Sequence, residues 1–275
     1  MTDRYAVFGN PIKHSKSPQI HAAFAAQTGQ DLTYEAICVA EDGFQDAVQQ
    51  FMQASGQGLN ITIPFKQDAW SLAEQRSPRA ELAGAVNTLY RNEQGQLCGD
   101  NTDGIGMVRD IVENHGGSLK GQRILILGAG GAVRGVLQPV LEQQPASVVV
   151  ANRTPDKALQ LADLMAAYGP ISGCGFADLA GQSFDLIING TAASLQGEVP
   201  PLPPAVLAAQ GWCYDMMYAA EPTAFCRWAE QQGALKVMDG LGMLVEQAAE
   251  SFRLWRGVLP QTAPVIVQLR QSLTV

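Results

Sequence analysis

Residues Arg123 to Thr154 constrain the fold more than any other stretch. They read Arg-Ile-Leu-Ile-Leu-Gly-Ala-Gly-Gly-Ala-Val-Arg-Gly, then an amphipathic run, then Val-Val-Val-Ala-Asn-Arg-Thr. A short apolar strand leads into a glycine turn, a helix and a second strand, the pattern of a dinucleotide-binding βαβ unit. Gly128 and Gly130 let the backbone turn sharply and approach a pyrophosphate without Cβ clashes. The helix that follows aims its unpaired N–H groups and positive dipole end at the phosphates. Val133, Val136, Leu137, Val140 and Leu141 recur at helical spacing and lay one face on a sheet. Pro139 falls inside that pattern and is expected to weaken or kink the helix, with Gly135 four residues earlier to relieve the ring clash. The third glycine of G-x-G-x-x-G would fall at Val133; here the extra glycines are Gly131 and Gly135.

The second strand bears on which nucleotide binds. A free ribose 2′-OH usually meets an Asp or Glu about 20 residues after the glycines. No acid ends the run Val148–Ala151; Asn152, Arg153 and Thr154 follow instead. A guanidinium with neutral hydrogen-bonding groups suits a 2′-phosphate, so NADP is expected rather than NAD. Thr154 before Pro155 also reads as a plain helix N-cap, and both roles can hold together.

Composition narrows the function classes. The chain has 275 residues, 47% of them hydrophobic, and a mean hydropathy near zero, which suits one large or two modest globular domains. A net charge of −8 argues against a phosphate-backbone footprint, so nucleic acid is not an expected partner. No apolar run approaches the roughly 20 residues that span a bilayer. Met-Thr-Asp-Arg-Tyr opens directly into a strand and does not read as a signal peptide. Cys38, Cys98, Cys174, Cys213 and Cys226 are scattered without C-x-x-C spacing, as expected of buried free thiols in a reducing cytoplasm.

Before Arg123 the periodicity predicts strands at 4–8, 32–39, 58–63, 85–90 and 96–99, with helices at 18–28, 43–54, 66–75 and 104–115. The turn Asn92 to Gly95 joins the last two strands. After Thr154 it predicts helices at 156–167 and 223–232 and strands at 184–189, 212–216 and 236–238, completing a doubly wound parallel sheet. Helices at 241–256 and 263–273 close the chain. The fold expected is α/β with two domains. An N-terminal α/β substrate domain takes 1–103 and, as the tail returns, 241–275. A Rossmann-type NADP domain takes 104–240. Ligands are expected in the cleft between them.

Several common chemistries fail on residue type. No tyrosine has a lysine four positions on, and His14, His21 and His115 make no pair with metal-ligand spacing. Asp100 to Gly104 lacks the acids of a calcium loop, and there is no G-x-S-x-G. Polarity instead concentrates in four N-terminal segments: Gly9 to Pro18, Asn60 to Lys66, Ala85 to Thr88, and Gly99 to Gly104. Three lie where a strand ends or continues, and such ends are where α/β sites gather.

Together with Gly128–Gly131, Asn152-Arg153-Thr154, Tyr214 to Tyr218 and Asp239 to Met243, these segments resemble shikimate dehydrogenase along almost the whole chain. The resemblance implies reversible reduction of 3-dehydroshikimate to shikimate by NADPH, in aromatic amino-acid biosynthesis. It implies a catalytic pair, here Lys66 and Asp103. It implies substrate contacts from Ser15, Ser17, Thr62, Asn87, Tyr218 and Gln247. Implied cofactor contacts are Gly128, Ala129, Gly130, Gly131, Ala132, Asn152, Arg153, Thr154, Thr191, Met216 and Gly240. It implies no metal, a cytoplasmic enzyme and, at family level, a homodimer. Where the family commonly has Asn-Ala-Thr-Ser-Ser, this chain has Asn189-Gly190-Thr191-Ala192-Ala193, which leaves Thr191 as the hydroxyl of that loop.

The chemistry of these residue types agrees. An ammonium at Lys66 can protonate a ketone oxygen as hydride arrives, and its neutral form can take the proton back. Asp103 can orient it through a charge-assisted hydrogen bond. Ser15 and Ser17 offer donors to a substrate carboxylate; Thr62, Asn87 and Gln247 suit ring hydroxyls. Plainer roles stand beside these. Ser17 before Pro18 also reads as an N-cap, Lys66 as a solvated lysine, Asp103 as a helix start, Asn87 as a loop brace and Met216 as packing. Gln247 lies on an apolar helix face, where an unpaired amide is expensive. Two rivals share the fold: a quinate/shikimate dehydrogenase with relaxed cofactor use, and a non-catalytic NADP-sensing regulator.

Overall fold

A computed structural model describes residues 2–273. The chain forms two compact units. One takes the chain up to Gly106 together with Val245–Val265; the other takes Met107–Leu244 and the chain from Ile266 on.

The first unit opens with β1 (Asp3–Gly9), α1 (Ser17–Thr28), β2 (Leu32–Cys38), α2 (Phe44–Gln53), β3 (Gly56–Ile61) and α3 (Lys66–Leu72). It continues with β4 (Gln75–Arg76), α4 (Pro78–Ala83), β5 (Thr88–Arg91) and β6 (Leu97–Asp100), and α5 (Asp103–Arg109) follows. The sheet order is β2-β1-β3-β5-β6-β4. β1 pairs parallel with β2 and β3, while β5 runs antiparallel between β3 and β6. Phe8, Val48, Leu59, Ile61, Phe65 and Leu89 fill the core on one side.

Several boundaries differ from the periodicity. β5 begins at Thr88 rather than 85, because Val86 donates its N–H to the Lys66 carbonyl instead of to a neighbouring strand. The helix expected over 66–75 stops at Leu72, and the chain then makes β4 and α4, neither of which the periodicity predicts. Ser77 caps α4, accepting from the Ala80 N–H, and Pro78 stands in its first turn. The helix expected over 104–115 ends as α5 at Arg109 and loosens into a π-helical turn, Asp110–Asn114.

The second unit contains β7 (Arg123–Leu127), α6 (Gly131–Glu142), β8 (Ser147–Asn152), α7 (Pro155–Met165), β9 (Ile171–Gly175) and β10 (Phe184–Asn189). It continues with β11 (Leu207–Asp215), α8 (Ala224–Gln231) and β12 (Lys236–Met238). Its sheet order is β12-β11-β10-β7-β8-β9, all parallel, which is the doubly wound arrangement with its switch point between β7 and β10. The periodicity does not predict β9, and β11 starts earlier than 212. α6 runs continuously through Pro139, and Gly135 sits where the ring crowds the preceding turn.

Two helices complete the chain, α9 (Leu241–Arg256) and α10 (Ala263–Leu273). The tail does not go whole to the first unit. Arg256 pairs with Asp3 and Trp255 donates to the Leu89 carbonyl, both in the first unit. Arg270 instead bonds Asp239 and the Ala219 carbonyl, in the second. Of the five free cysteines, Cys98, Cys213 and Cys226 are buried but Cys38 is exposed, against the expectation for all five. No described helix is long and apolar enough to cross a membrane.

Candidate active site

Lys66 is the first residue of α3, and its carbonyl is pinned by the Val86 N–H. Its Nζ donates to Asp103 Oδ2 at 2.6 Å. Asp103 starts α5, where its backbone N–H donates to Asn101 Oδ1. Both side chains are largely covered, at 31% and 14% exposure, so solvent screens the pair less than a surface ion pair. Lys66 is therefore not a solvated lysine, and Asp103 is more than a helix start.

Asn87 is buried beside them. Its Nδ2 faces Asp103 Oδ1 at 2.8 Å, Thr102 Oγ1 at 2.9 Å and Gln247 Oε1 at 3.3 Å. Its Oδ1 accepts from the Thr102 N–H at 2.9 Å and from Thr88 Oγ1 at 2.8 Å. Four of the residues implied by the resemblance, Lys66, Asp103, Asn87 and Gln247, thus lie in one hydrogen-bonded cluster. Gln247 reaches it from α9, so its amide is paired.

Ser15 and Thr62 stand on the loops after β1 and β3, and Ser17 stands at the start of α1. Ser17 opens α1 but does not cap it; Lys16 holds the cap position and no side-chain cap bond forms. The Ser17 N–H donates to Ser15 Oγ, and its side chain hydrogen-bonds the Tyr34 phenol. The Tyr34 hydroxyl donates to Asn60 Oδ1 at 2.8 Å. Burial holds that phenol well above its usual range, against the counter-pull of Ser17. The Thr62 methyl occupies the space a Cβ at Gly9 would need, and its N–H closes the β3 end on the Phe8 carbonyl.

In the second unit the implied cofactor residues gather at the carboxyl ends of β7, β8, β10, β11 and β12. Gly128 has φ +102°, a left-handed conformation that favours glycine, and a Cβ there would meet the Thr191 methyl at 3.1 Å. A Cβ on Gly240 would stand 2.2 Å from the Met216 carbonyl oxygen. The Gly128 N–H donates to the Ala151 carbonyl, tying the glycine turn to the strand that delivers Asn152, Arg153 and Thr154. Thr191 donates its hydroxyl to Asn189 Oδ1 at 2.7 Å, and Asn189 Nδ2 in turn donates to buried Asp215. Burial raises the Asp215 carboxyl, opposed by hydrogen bonds from Thr223, the Met217 N–H, Ser194 and Asn189.

This arrangement fits a dinucleotide. Gly130 and Gly131 are exposed, and nothing lies within 4 Å of where their Cβ atoms would stand, so the space before α6 is open to a pyrophosphate. Ala129 and Ala132 flank them. Thr154 occupies the N-cap of α7 without a side-chain cap bond, which leaves that hydroxyl uncommitted to the helix. The Arg153 side chain is exposed next to it. Tyr218, half-buried after β11, has its phenol raised by burial and then by Asp239.

The periodicity singles out no role for Tyr34, Thr88, Thr102 or Ser251, although all bond into the first-unit cluster. Asn60 belongs to a polar segment, but its residue type alone assigns it no role. The usable signal for Ser251 is its spacing: one turn beyond Gln247, it shares that face of α9.

Three segments match known families: residues 7–89 the shikimate dehydrogenase substrate binding domain, 110–196 the shikimate / quinate 5-dehydrogenase family, and 240–270 the shikimate 5'-dehydrogenase C-terminal domain. The chain is 54% identical to the shikimate dehydrogenase (NADP(+)) of Nitrosococcus oceani, over 100% of this chain and 98% of that one. It is 47% identical to an Ael1 enzyme from Pseudomonas putida of known crystal structure, with a TM-score of 0.92 over 100% and 99% of the two chains. Shikimate 5-dehydrogenase from Thermus thermophilus, crystallised in complex with NADP(H) and shikimate, is 34% identical, with a TM-score of 0.87 over 99% and 100%. With more than half its residues shared with such a relative along its full length, the chain belongs to the shikimate dehydrogenase family.

Proposed function

We propose that the chain catalyses the reversible, NADPH-dependent reduction of 3-dehydroshikimate to shikimate, a step of aromatic amino-acid biosynthesis. The observation that carries this reading is the Lys66–Asp103 contact at 2.6 Å, in the unit that matches a substrate-binding domain. The relatives' names, and the NADP(H) and shikimate bound to the Thermus thermophilus protein, support the choice of substrate and cofactor. The same reading carries a homodimer and a cytoplasmic setting.

NADPH, when bound, supplies the hydride. As the ketone carbon accepts it, negative charge grows on the carbonyl oxygen, and the Lys66 ammonium gives that oxygen a proton. In the oxidative direction neutral Lys66 takes the proton from the hydroxyl. Asp103 holds Nζ in one place by a charge-assisted hydrogen bond, and Asn87 holds Asp103 from its other oxygen. Ser15 and Ser17 hold the substrate carboxylate, while Thr62, Asn87, Tyr218 and Gln247 take ring hydroxyls. Backbone amides across Gly128–Ala132 and the start of α6 take the pyrophosphate. Asn152, Arg153 and Thr154 take the 2′-phosphate, and Thr191, Met216 and Gly240 line the rest of the cofactor.

Lys66→Ala tests the reading. Turnover should fall ~10²–10⁴-fold, the usual worth of a general acid, with shikimate still bound. Near-normal turnover sinks it. Assays with shikimate and quinate, each with NADP and NAD, separate it from a relaxed quinate/shikimate enzyme, and no activity with either would leave a regulator.

A further inference from the structure

We infer that Ser251 is a positioning residue for the proton-transfer pair, acting through a buried chain of hydrogen bonds that ends on Asp103. The inference rests on the Lys66–Asp103 reading above.

Ser251 is fully buried on α9, so its hydroxyl acts on protein groups alone. Its Oγ lies 3.0 Å from Asn60 Nδ2, 2.8 Å from Thr88 Oγ1, 3.3 Å from Thr102 Oγ1 and 3.0 Å from the Gln247 carbonyl oxygen. Hydrogen inventories fix the direction of the chain. Asn87 has no choice of orientation: the Thr102 N–H must meet its oxygen, and the Asp103 carboxylate must meet its NH₂ group. The Thr88 hydroxyl, 2.8 Å from that same oxygen, therefore donates to it. A hydroxyl has one proton, so Thr88 must accept in its 2.8 Å contact with Ser251, and Ser251 shares its own proton between Thr88 and the Gln247 carbonyl. Ser251 in turn accepts from the Asn60 amide, whose oxygen is held by the Tyr34 hydroxyl. Donors then run one way, from Tyr34 through Asn60, Ser251, Thr88 and Asn87 to Asp103. Lys66 arrives at the other carboxylate oxygen. Hydrogen bonds in such a chain polarise and strengthen one another in a dry interior.

The chain matters because Asn87 is oversubscribed. Its NH₂ has two protons and three acceptors: Asp103, Thr102 and Gln247. Thr88, held by Ser251, fixes the amide plane that keeps one proton on Asp103. Without the Ser251 hydroxyl, Thr88 loses the donor that orients it, the Asn87 amide can swing toward Thr102 or Gln247, and Asp103 loses the donor that holds it under Lys66.

Ser251→Ala should lower kcat about tenfold, since small misplacements of a reacting group have effects of that order or more. The Michaelis constant for NADP should stay within about twofold, because the cofactor contacts are untouched; that for shikimate should move only together with kcat, since Asn87 also meets the substrate. The decisive measurement is a double-mutant cycle with Asp103→Asn. If Ser251 works through Asp103, Ser251→Ala should lower the residual kcat of Asp103→Asn no further. Equal losses in both backgrounds, an unchanged kcat in the single variant, or a change confined to the Michaelis constants would overturn the inference. Should Ser251→Ala fail to fold, Thr88→Val, which removes the next hydroxyl at nearly constant shape, gives the same cycle. Asp103→Asn with near-normal turnover would instead mean that the Lys66–Asp103 reading itself has failed.

Discussion

Arg153 stands exposed at the end of β8 with no acid in the Asn152–Thr154 turn, and the Thr154 hydroxyl beside it is not spent on a cap. A guanidinium placed there can grip a 2′-phosphate through charge-assisted hydrogen bonds worth about 1.5–3 kcal/mol, which is about 10- to 100-fold in affinity. Arg153→Ala should therefore raise the Michaelis constant for NADP by that order while moving the constant for NAD little. Equal effects on both cofactors would remove its 2′-phosphate role. Residues of this kind are legible in the sequence because a charged or amide side chain at a strand end is unusual in itself. Lys66, Asp103 and Asn87 share that property, each lying in a polar segment next to a strand, and Gln247 stands out instead as an amide on an apolar helix face. Thr88, Thr102 and Ser251 do not: a lone hydroxyl looks the same on a surface as in a core. What gives Ser251 meaning is its contact with Thr102, 149 residues away along the chain, which no local pattern encodes.

At the scale of elements, hydrophobic period locates nearly every long strand and helix. It fails where a tertiary contact overrules it. β5 is shortened by the Val86–Lys66 backbone bond, and β4 and α4 are short pieces held by Ser77 and Arg76. β9 is hidden for another reason. It reads Ile-Ser-Gly-Cys-Gly, with too little bulk to register as a strand, yet its glycine is what lets it form. A Cβ on Gly173 would lie 2.3 Å from the Ala158 carbonyl carbon and oxygen, so β9 reaches its place only by bringing backbone directly against α7. Backbone cannot step aside as a side-chain tip can. Gly173→Ala should destabilise the second unit by about 1–3 kcal/mol, in the range of other overpacked sites. It should be read as a lowered melting temperature, with the first-unit residues Lys66 and Asp103 unaltered. An unchanged melting temperature would show that α7 and β9 can separate freely.

For the molecule as a whole, the response to acid is set by a few buried groups more than by net charge. At −8 and a pI of about 4.9, the chain approaches neutrality as pH falls toward 5, so general charge repulsion weakens there. His21 works in the opposite sense. It is buried, stacked on Tyr34 at 4.2 Å and enclosed by Phe24, Phe252 and Trp255. Burial pushes its imidazole down to about 3, with Asn60 offering a small counter-pull. The unfolded chain protonates this residue near pH 6.5, whereas the folded chain resists down to about 3. Stability is therefore fully present above pH 6.5 and is lost progressively as pH falls toward 3. Each pH unit in that window costs about 1.4 kcal/mol, so the fall from pH 6.5 to 4.5 amounts to about 2–3 kcal/mol. His115, also lowered by burial, adds in the same direction. Asp215, raised by burial, opposes it, because the folded state takes up that proton first. Asp185, held low by Arg123, matters only in stronger acid, below the usual carboxylate range. His21 thus dominates between pH 6.5 and 4.5, and His21→Phe should remove most of the slope there while keeping a ring against Tyr34. Urea midpoints at pH 7 and 4.5, taken for both proteins, provide the comparison. A wild-type midpoint that falls with acid beside a variant midpoint that barely moves is the expected result, and parallel falls in both would mean that His21 does not govern the acid response.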